Sequence, residues 1–258
     1  MSTRSGPREP ITPDDEDFRR LQSFLHEQYG LHFPEKRLYS LRHKISRRLE
    51  ATRQETVSEY LSYVKKAGDD EVSKLLDQVL TNRTYFYREP DFWRYFREEL
   101  ANQFCGRERF NVWSPACSTG EEPYTAALCL EDRRRQKRNA EDCEYRVLAT
   151  DLSQSVLRQA VRGRYGDSKL ESLRDHHPDW VETYFSQLGD RQWQLDDAVR
   201  RYVAFREFNL INENYPFEET FQLIICRNVL LYFDRETVGS VINSLAKSLV
   251  PGGYLAIG

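Results

Sequence analysis

The stretch VWSPACSTGEEPYTAALCL, from Val112 to Leu130, decides the fold. Its apolar start predicts a buried strand, Gly120 predicts a tight turn, and the residues that follow predict an amphipathic helix. A strand, a turn and a helix in this order open the α/β units in which a ligand lies at the carboxyl end of a parallel strand.

The charge of this turn indicates the chemistry of its ligand. The turn lacks the GxGxxG pattern of dinucleotide sites, and Glu121 and Glu122 would repel a phosphate group. They favour a ligand with hydroxyl groups and a positive charge, and S-adenosylmethionine carries a ribose, a sulfonium and an ammonium group. Taken alone, Gly120 is typical of an ordinary turn and the two acids of a helix N-terminus. We expect one acid to serve the helix dipole and the other the ligand.

The residues around this stretch alternate between strand and helix patterns, which favours an α/β fold with a parallel sheet covered on both faces. Between 168 and 206 the pattern degrades, and WQLDD followed by RRYVAFREF predicts an insertion of short antiparallel strands. The predicted strands are 110–116, 145–150, 222–226 and 254–257, and the predicted helices are 124–135, 153–162 and 235–249.

The first third of the chain has the spacing of helices. Phe18, Leu21, Leu25 and Tyr29 recur every three or four residues, and the same rhythm returns in 38–49, 57–64 and 72–80. These segments predict a small helical bundle. Residues 1–15 are polar and proline-rich, which predicts a disordered tail and no signal peptide.

Composition narrows the function. The chain has 258 residues and a net charge of only −3, so its overall charge does not indicate binding to nucleic acid or to a membrane surface. No apolar run approaches the roughly 18 residues of a membrane helix. The five cysteines form no CxxC pair, which favours free thiols in a reducing cytoplasm. His176 and His177 have no cysteine or carboxylate at ligand spacing, so no metal site is expected.

Polar residues at two further strand ends are candidates for ligand binding. Asp151 ends the strand after the Gly120 turn, where a carboxylate can accept hydrogen bonds from both ribose hydroxyls. Capping of the next helix is an equal alternative for Asp151 alone, but its place after the Gly120 turn favours ribose. Arg227 and Asn228 follow the strand IIC. Tyr232, one helical turn later, is either a pocket residue or a core aromatic.

The segment LTNRTYFYREP, residues 80–90, joins the helical and alternating regions. Asn82, Thr84 and Arg88 are polar positions among aromatic ones, so the segment is a candidate lid over the ligand. The alternative is an aromatic interdomain hinge in which Arg88 makes a structural salt bridge.

Four segments, TNRTYFYRE, ACSTGEEPYT, ATDLS and CRNVLLYFD, together resemble the motifs of CheR-type chemotaxis receptor methyltransferases. The resemblance covers the chain from about Asp17 to Gly258. It implies an all-helical domain with its linker at 16–88, then a Rossmann-like methyltransferase domain at 89–258 with a small antiparallel β subdomain at about 170–206. In the family the sheet continues with more strands beyond the point matching Gly258. Members that tether to a receptor tail peptide carry a glycine pair that 186–194 lacks.

The resemblance also implies the activity. A methyl group would pass from S-adenosylmethionine to glutamate side chains on the cytoplasmic helical bundle of methyl-accepting chemoreceptors, leaving S-adenosylhomocysteine. Because such a carboxylate is already ionised at neutral pH, no general base is required. We expect a cytoplasmic monomer that binds no nucleic acid and does not insert into a membrane.

The resemblance assigns roles to individual residues. Asp151 would hold the ribose, Asn209 and Leu210 would flank the adenine, and Arg227 and Asn228 would line the methionine end. Arg88 and Tyr232 would have catalytic roles near the transferred methyl group. The full set of cofactor residues would be Asn82, Thr84, Arg88, Glu122, Asp151, Asn209, Leu210, Arg227 and Asn228.

A basic segment is a candidate for docking the receptor. Residues 36–53 contain seven basic residues and one acid, and a basic helix can dock an acidic helical partner. A solvated charged face and a nucleic-acid surface are the alternatives. The docking candidates are Arg37, Arg42, Lys44, Arg47 and Arg48.

Three other functions compete with the glutamate methyltransferase. A noncatalytic signalling module that binds S-adenosylmethionine or S-adenosylhomocysteine is the main alternative. The chain has no [DN]PP[YF] segment, which disfavours amino methylation of nucleic-acid bases. The missing GxGxxG disfavours a dehydrogenase.

Overall fold

The computed structural model describes residues 15–104, 109–136 and 144–258. The chain forms a helical unit that extends to Thr81 and includes Tyr232–Asp234, and an α/β unit of Asn82–Leu231 and Arg235–Gly258. The segment 82–88, predicted as a linker of the helical domain, therefore belongs to the α/β unit. The predicted tail lies, up to residue 14, outside the described residues, as do Cys105 and Cys143. Within the described residues, every helix is too short or too polar to span a membrane.

From residue 15 onward, the helical unit contains four helices at the predicted positions. Their buried faces carry the residues of the sequence periodicity, for example Leu21, Leu25 and Ile45, which are fully buried. A left-handed Arg53, at φ 58°, ends the second helix, and Thr56 caps the third by accepting from the Glu59 amide. The helices are α1 (Asp15–Tyr29), α2 (Glu35–Thr52), α3 (Val57–Ala67) and α4 (Asp69–Val79).

The α/β unit alternates strands and helices along the chain. The strands are β1 (Phe110–Pro115), β2 (Tyr145–Asp151), β3 (Arg164–Gly166), β4 (Phe185–Gly189), β5 (Gln192–Leu195), β6 (Val203–Glu207), β7 (Phe221–Cys226) and β8 (Leu249–Ile257). The helices are α5 (Pro90–Tyr95), which continues through the π-helical Phe96–Leu100 into α6 (Ala101–Phe104), then α7 (Glu121–Gln136), α8 (Gln154–Arg162), α9 (Glu171–His176), α10 (Pro178–Tyr184), α11 (Asp197–Arg200) and α12 (Arg235–Ser248).

The large sheet has the strand order β6-β2-β1-β7-β8, and its described pairings are parallel. From β1 the chain builds outward through β2 and β6 on one side, and through β7 and β8 on the other. The strand order thus reverses between β1 and β7. In open parallel sheets, ligands bind beyond the carboxyl ends of the strands at such a switch point. The α/β prediction is confirmed, and the switch point locates the candidate site.

The small sheet corrects one sequence prediction. Its three strands have the antiparallel order β3-β5-β4, so it begins at Arg164 and ends at Leu195. Val203–Glu207, predicted as part of the antiparallel insertion, instead pairs in parallel with β2 from Val147 to Asp151. An edge strand of a parallel sheet is half-exposed, so its alternating residues resemble those of an antiparallel strand.

Close packing between the start of α7 and α8 requires a glycine at position 120. Its φ is +93°, and a Cβ at this position would lie 2.8 Å from the Cβ of Ala160 on α8 and 3.2 Å from the Tyr165 hydroxyl. The glycine therefore lets the start of α7 approach α8 closely, and this supports the ordinary-turn interpretation of Gly120.

We predict that Gly120→Ala destabilises the protein by about 2–4 kcal/mol, because the added methyl group clashes with Ala160 and the backbone is left-handed. Urea unfolding measures the change. Gly239→Ala is the control, since its Cβ meets nothing within 4 Å and alanine favours the helix α12. Equal stability of the two variants would show that close packing does not select Gly120.

Candidate functional site

A buried arginine connects three segments at the switch point. The Arg227 side chain, directly after β7, is 3% exposed. Its Nη2 lies 2.7 Å from Glu89 Oε2 and donates to the Arg88 carbonyl at 3.0 Å. Its Nη1 lies 3.8 Å from Glu122 Oε2. We call Arg227, Glu89, Glu122 and the Arg88 carbonyl the Arg227 cluster.

Aromatic rings complete the surroundings of Arg227. The guanidinium carbon lies 4.6 Å from the ring centre of Phe92 and 5.7 Å from that of Trp93. Trp93 Nε1 also donates to the Arg88 carbonyl at 2.8 Å. A buried guanidinium needs its charge paired and its N–H groups satisfied, and these contacts serve both needs.

Glu122 lies in the first turn of α7, with its side chain 18% exposed. Its Oε1 accepts a hydrogen bond from Ser114 Oγ on β1 at 2.9 Å. Burial raises the pKa of the Glu122 carboxyl to about 7, although Arg227 and the Ser114 hydroxyl favour its ionised form. The carboxylate is thus held close to protonation near neutral pH, which is typical of functional sites.

Glu121 and Glu122 have different partners, and the predicted contact of one of them with the ligand remains a prediction. Glu121 is fully buried and forms an ion pair with Lys169 at 2.9 Å. Its Oε2 accepts a hydrogen bond from Thr119 Oγ1 at 2.7 Å. Glu121 thus serves the fold, while Glu122 faces Arg227.

Asp151 joins the ends of β1 and β2. Its Oδ2 accepts from the Ser118 amide at 2.8 Å and its Oδ1 from the Ser153 amide at 3.0 Å. These bonds hold the loop after β1 and the turn before α8. The capping interpretation is wrong, because Ser153 is the N-cap residue of α8 and Asp151 accepts from the amide of Ser153 itself. A carboxylate has about four acceptor positions, so these two bonds are compatible with ribose binding.

Strained backbone concentrates at this edge of the sheet. Five residues here have left-handed φ angles: Tyr87, Glu89, Ala116, Ser118 and Asn228, at 50–62°. Such conformations cost on the order of 1–3 kcal/mol each in a non-glycine residue, and they persist where neighbouring contacts enforce them. Asn228, a predicted cofactor residue, is one of them.

Side chains from elsewhere in the α/β unit fix the candidate lid, residues 80–90, at Thr84 and Tyr87. Lys169 Nζ donates to the Thr84 carbonyl at 2.5 Å. The Tyr87 amide donates to Thr125 Oγ1 and the Tyr87 carbonyl accepts from Ser172 Oγ, each at 3.1 Å. These bonds hold in place the backbone from which Arg88 extends.

Arg88 is partly exposed, with 31% of its side chain accessible. Its Nη1 donates to the Arg83 carbonyl at 2.8 Å, and its Nε lies 3.8 Å from Glu89 Oε1. A structural salt bridge is therefore present, as the hinge interpretation expected. An ion pair at that distance and exposure is weak and can be exchanged for a better carboxylate.

Asn209 and Leu210 follow β6. Leu210 is buried, and its carbonyl accepts a hydrogen bond from the Tyr215 hydroxyl at 2.6 Å. Asn209 Oδ1 accepts from the Ile211 amide at 3.2 Å. The pair thus lies in an ordered turn, and its predicted contact with adenine remains a prediction.

Tyr232 belongs to the helical unit. Its carbonyl accepts from the His32 amide at 2.7 Å, and its hydroxyl donates to the Thr81 carbonyl at 3.4 Å. Leu31 and Phe233 form an antiparallel bridge in the same unit. The predicted pairing of Tyr232 with Asn228 in one pocket therefore remains a prediction.

The docking candidates on α2 differ in their surroundings. Arg48 makes hydrogen bonds of 2.7–2.8 Å to the buried Glu71, which also accepts from the Tyr60 hydroxyl. This internal pair removes Arg48 from the proposed docking surface. The Arg42 guanidinium lies 4.9 Å from the ring centre of Phe18.

Among the remaining candidates, Arg47 is exposed and Lys44 is half-buried. The side chain of Arg37 lies outside the described part of the chain. Arg47 is thus the docking candidate that the structure leaves most accessible.

Three site residues were missed by the sequence reasoning. Glu89 precedes Pro90 and so has the position of a helix N-cap, which hides its ion pair with Arg227. Ser114 lies within a strand and carries no motif. Ser118 Oγ is buried and has no hydrogen-bond partner among the described residues. Nothing in the local sequence indicated these contacts, because each depends on another strand or helix.

The residues at this edge fit S-adenosylmethionine. Carboxylates at neighbouring strand ends, Asp151 and Glu122, suit hydroxyl groups and an ammonium group, and both would repel a pyrophosphate. The buried hydroxyl of Ser118 is a polar group that a ligand hydroxyl or amine could satisfy.

Comparison with known proteins gives matches over nearly the whole chain. Residues 16–80 match the family model "CheR methyltransferase, all-alpha domain", and residues 82–258 match "CheR methyltransferase, SAM binding domain". The chain is similar to the chemotaxis protein methyltransferase of Borreliella burgdorferi, at 30% identity over 96% of this chain and 88% of that protein. It is also similar to that of Vibrio parahaemolyticus, at 31% identity over 96% of this chain and 90% of that protein.

A likeness to a more distant solved structure is also found. A methyltransferase from Geobacter sulfurreducens in complex with S-adenosyl-L-homocysteine aligns at 16% identity and a TM-score of 0.36, over 68% of this chain and 50% of that one.

We predict that Glu122→Gln stabilises the ligand-free protein at about pH 8 by up to roughly 3 kcal/mol. The folded state raises the pKa of Glu122 from 4.5 to about 7. The folded protein therefore binds this proton more tightly than the unfolded chain does, and the stability of the natural protein falls as the pH rises through that range. Urea unfolding at several pH values measures the difference, which should vanish toward about pH 4.5. A difference independent of pH would contradict the assigned titration.

Proposed function

This chain belongs to the CheR methyltransferase family, and we propose that it methylates glutamate side chains on the cytoplasmic helical bundle of chemoreceptors. Residues 82–258 form the S-adenosylmethionine-binding domain of the family, so the chain is an S-adenosylmethionine-dependent methyltransferase. The glutamate acceptor is our inference. The observation that supports it best is the partly exposed Arg88, a cation beside the Arg227 cluster that suits a carboxylate acceptor.

The cofactor residues are proposed from the family resemblance, supported by the positions of Asp151, Asn209 and Arg227 at or just after strands of the large sheet. Asp151 would bind the ribose hydroxyls, and Glu122 would bind the ammonium group of the methionine portion. Asn209 and Leu210 would flank the adenine. The remaining contacts would come from Asn82, Thr84 and Arg88, and Arg227 and Asn228 would line the methionine end.

The chain's own part in the reaction is orientation. S-adenosylmethionine supplies the electrophilic methyl group. The acceptor carboxylate, with a reference pKa of about 4.3, is ionised at neutral pH and needs no general base. Arg88 would exchange its weak contact with Glu89 for the acceptor carboxylate and hold one oxygen toward the methyl group. The Tyr232 hydroxyl would donate a hydrogen bond near the reacting oxygen.

The receptor surface is proposed to contact the basic face of α2. Arg47, which is exposed, and Lys44 are the described side chains available for an acidic helix, while Arg37 and Arg42 are secondary candidates. The receptor's cytoplasmic bundle places the proposed activity in the cytoplasm, with the enzyme acting as a monomer. The alternative, a noncatalytic S-adenosylmethionine-binding module, uses the same site and predicts binding without transfer.

We predict that the protein transfers label from methyl-labelled S-adenosylmethionine to chemoreceptor cytoplasmic fragments as base-labile methyl esters. Arg88→Ala and Tyr232→Phe should each lower the single-turnover rate, Arg88→Ala by on the order of 10–100-fold, since a charge-assisted hydrogen bond is lost.

Two outcomes would contradict this function. Binding of S-adenosylmethionine without transfer would favour the noncatalytic module, and label in base-stable positions would reject carboxylate chemistry. Unchanged rates in both variants would contradict the assigned roles of Arg88 and Tyr232, but they would not contradict methyl ester formation.

We also predict that Arg47→Glu raises the KM for the receptor fragment several-fold at low salt and leaves kcat unchanged, because it reverses charge on the docking face. Steady-state kinetics at two salt concentrations measure the effect, which should shrink at high salt. Arg20→Glu on α1, also exposed, is the matched control. Equal effects of the two variants would show that α2 has no special role, and binding of duplex RNA lost in Arg47→Glu would favour a nucleic-acid surface.

A further inference from the structure

Glu89 lies between the two arginines of the site. Its Oε2 is 2.7 Å from Arg227 Nη2, and its Oε1 is 3.8 Å from Arg88 Nε. About half of the Glu89 side chain is exposed, and its backbone is left-handed at φ 62°. A left-handed non-glycine residue is maintained only where its surroundings favour it. The backbone of Glu89 thus turns so that its carboxylate meets the buried guanidinium.

Arg227 already has a protein partner on each side. Glu89 pairs with Nη2, the Arg88 carbonyl accepts from the same nitrogen, and Glu122 lies near Nη1. The guanidinium also lies over the rings of Phe92 and Trp93. Because its N–H groups already have these partners, the Arg227 guanidinium connects the surrounding segments. It is poorly placed to bind a further carboxylate from a ligand.

We propose that Glu89 is a positioning residue, which holds Arg227 as an internal connector between the lid segment and Glu122. Arg227 then does not bind the cofactor carboxylate itself. This inference rests on the proposed role of Glu122 in binding the ammonium group of the cofactor. It assigns to this chain a functional residue, Glu89, that lies outside the set expected from the sequence.

The charge of Glu89 also acts on Glu122. Burial raises the pKa of Glu122 most, Arg227 and Arg88 lower it, and the negative charge of Glu89 raises it further. Removing the charge of Glu89 should therefore shift the ionisation of Glu122, and with it ammonium binding, to lower pH. The groups that surround Glu122 are Ser114, Arg227, Arg88 and Glu89, with the buried thiols of Cys117 and Cys226 and the neighbouring Glu121 also nearby.

The test measures the affinity of the full chain for S-adenosylhomocysteine by calorimetry. The measurements run from about pH 6 to pH 8.5, on either side of the raised pKa of Glu122. Glu89→Gln keeps an oxygen that can accept from Arg227 but removes the charge. We expect its affinity to fall about tenfold at high pH, the size of one charge-assisted hydrogen bond. We also expect the midpoint of the pH dependence to move to lower pH. Glu89→Asp keeps the charge and should restore the midpoint of the natural protein.

The control is Glu144→Gln, because Glu144 pairs with Arg109 at 3.2 Å and has a similar exposure of 43%. Tighter binding by Glu89→Gln would overturn the proposal, since it would show that Glu89 only competes with the cofactor for Arg227. Weaker binding without a shift of the midpoint would overturn the link to Glu122. Behaviour equal to that of Glu144→Gln would show no role for Glu89.

These outcomes are separate from a failure of the proposed function. A natural protein that does not bind S-adenosylhomocysteine at any pH would contradict the cofactor assignment instead. Thermal unfolding of each variant, measured beside calorimetry, tells loss of binding from loss of the fold.

Discussion

The buried guanidinium of Arg227 is the contact on which the candidate site depends. It ties together the end of β7, the lid segment and the first turn of α7 through Glu89, the Arg88 carbonyl and Glu122. A charge with 3% of its side chain exposed must be paired, and breaking such a pair costs on the order of 3–5 kcal/mol. The three segments are therefore held in one arrangement, although Arg227 and Glu89 lie outside regular strands and helices.

Hydrogen bonds from side chains also fix the rest of this edge. Asp151 holds two loops by accepting from their amides, and Lys169 reaches both the lid carbonyl of Thr84 and the buried Glu121. The left-handed residues concentrate in the same loops, where these contacts outweigh their strain. The site is thus largely formed by the α/β unit itself, and the bound cofactor would meet groups already oriented for it.

Much of this organisation could be predicted from the sequence. The three-to-four spacing around Phe18 and Leu21 predicted α1, and the VWSPACSTGEEPYT stretch predicted β1, the turn and α7. These predictions succeeded because each depends on local periodicity or on a motif at a strand end.

The errors arose where distant residues decide the outcome. Val203–Glu207 has the alternation of an exposed strand, and only its pairing with β2 places it in the large sheet. The local sequence predicts that Arg48 is an exposed surface charge, but Arg48 forms an ion pair with the buried Glu71 on α4. Glu89 has the position of a helix N-cap, and its ion-pair partner Arg227 lies 138 positions later in the chain. Local sequence cannot show such contacts.

A crystal structure of the protein with S-adenosylhomocysteine would test the role of Arg227. We expect Arg227 to remain within hydrogen-bond distance of Glu89 and the Arg88 carbonyl, while the ligand's ammonium group lies on Glu122. A structure in which Arg227 has left Glu89 and holds the ligand's carboxylate would contradict that role.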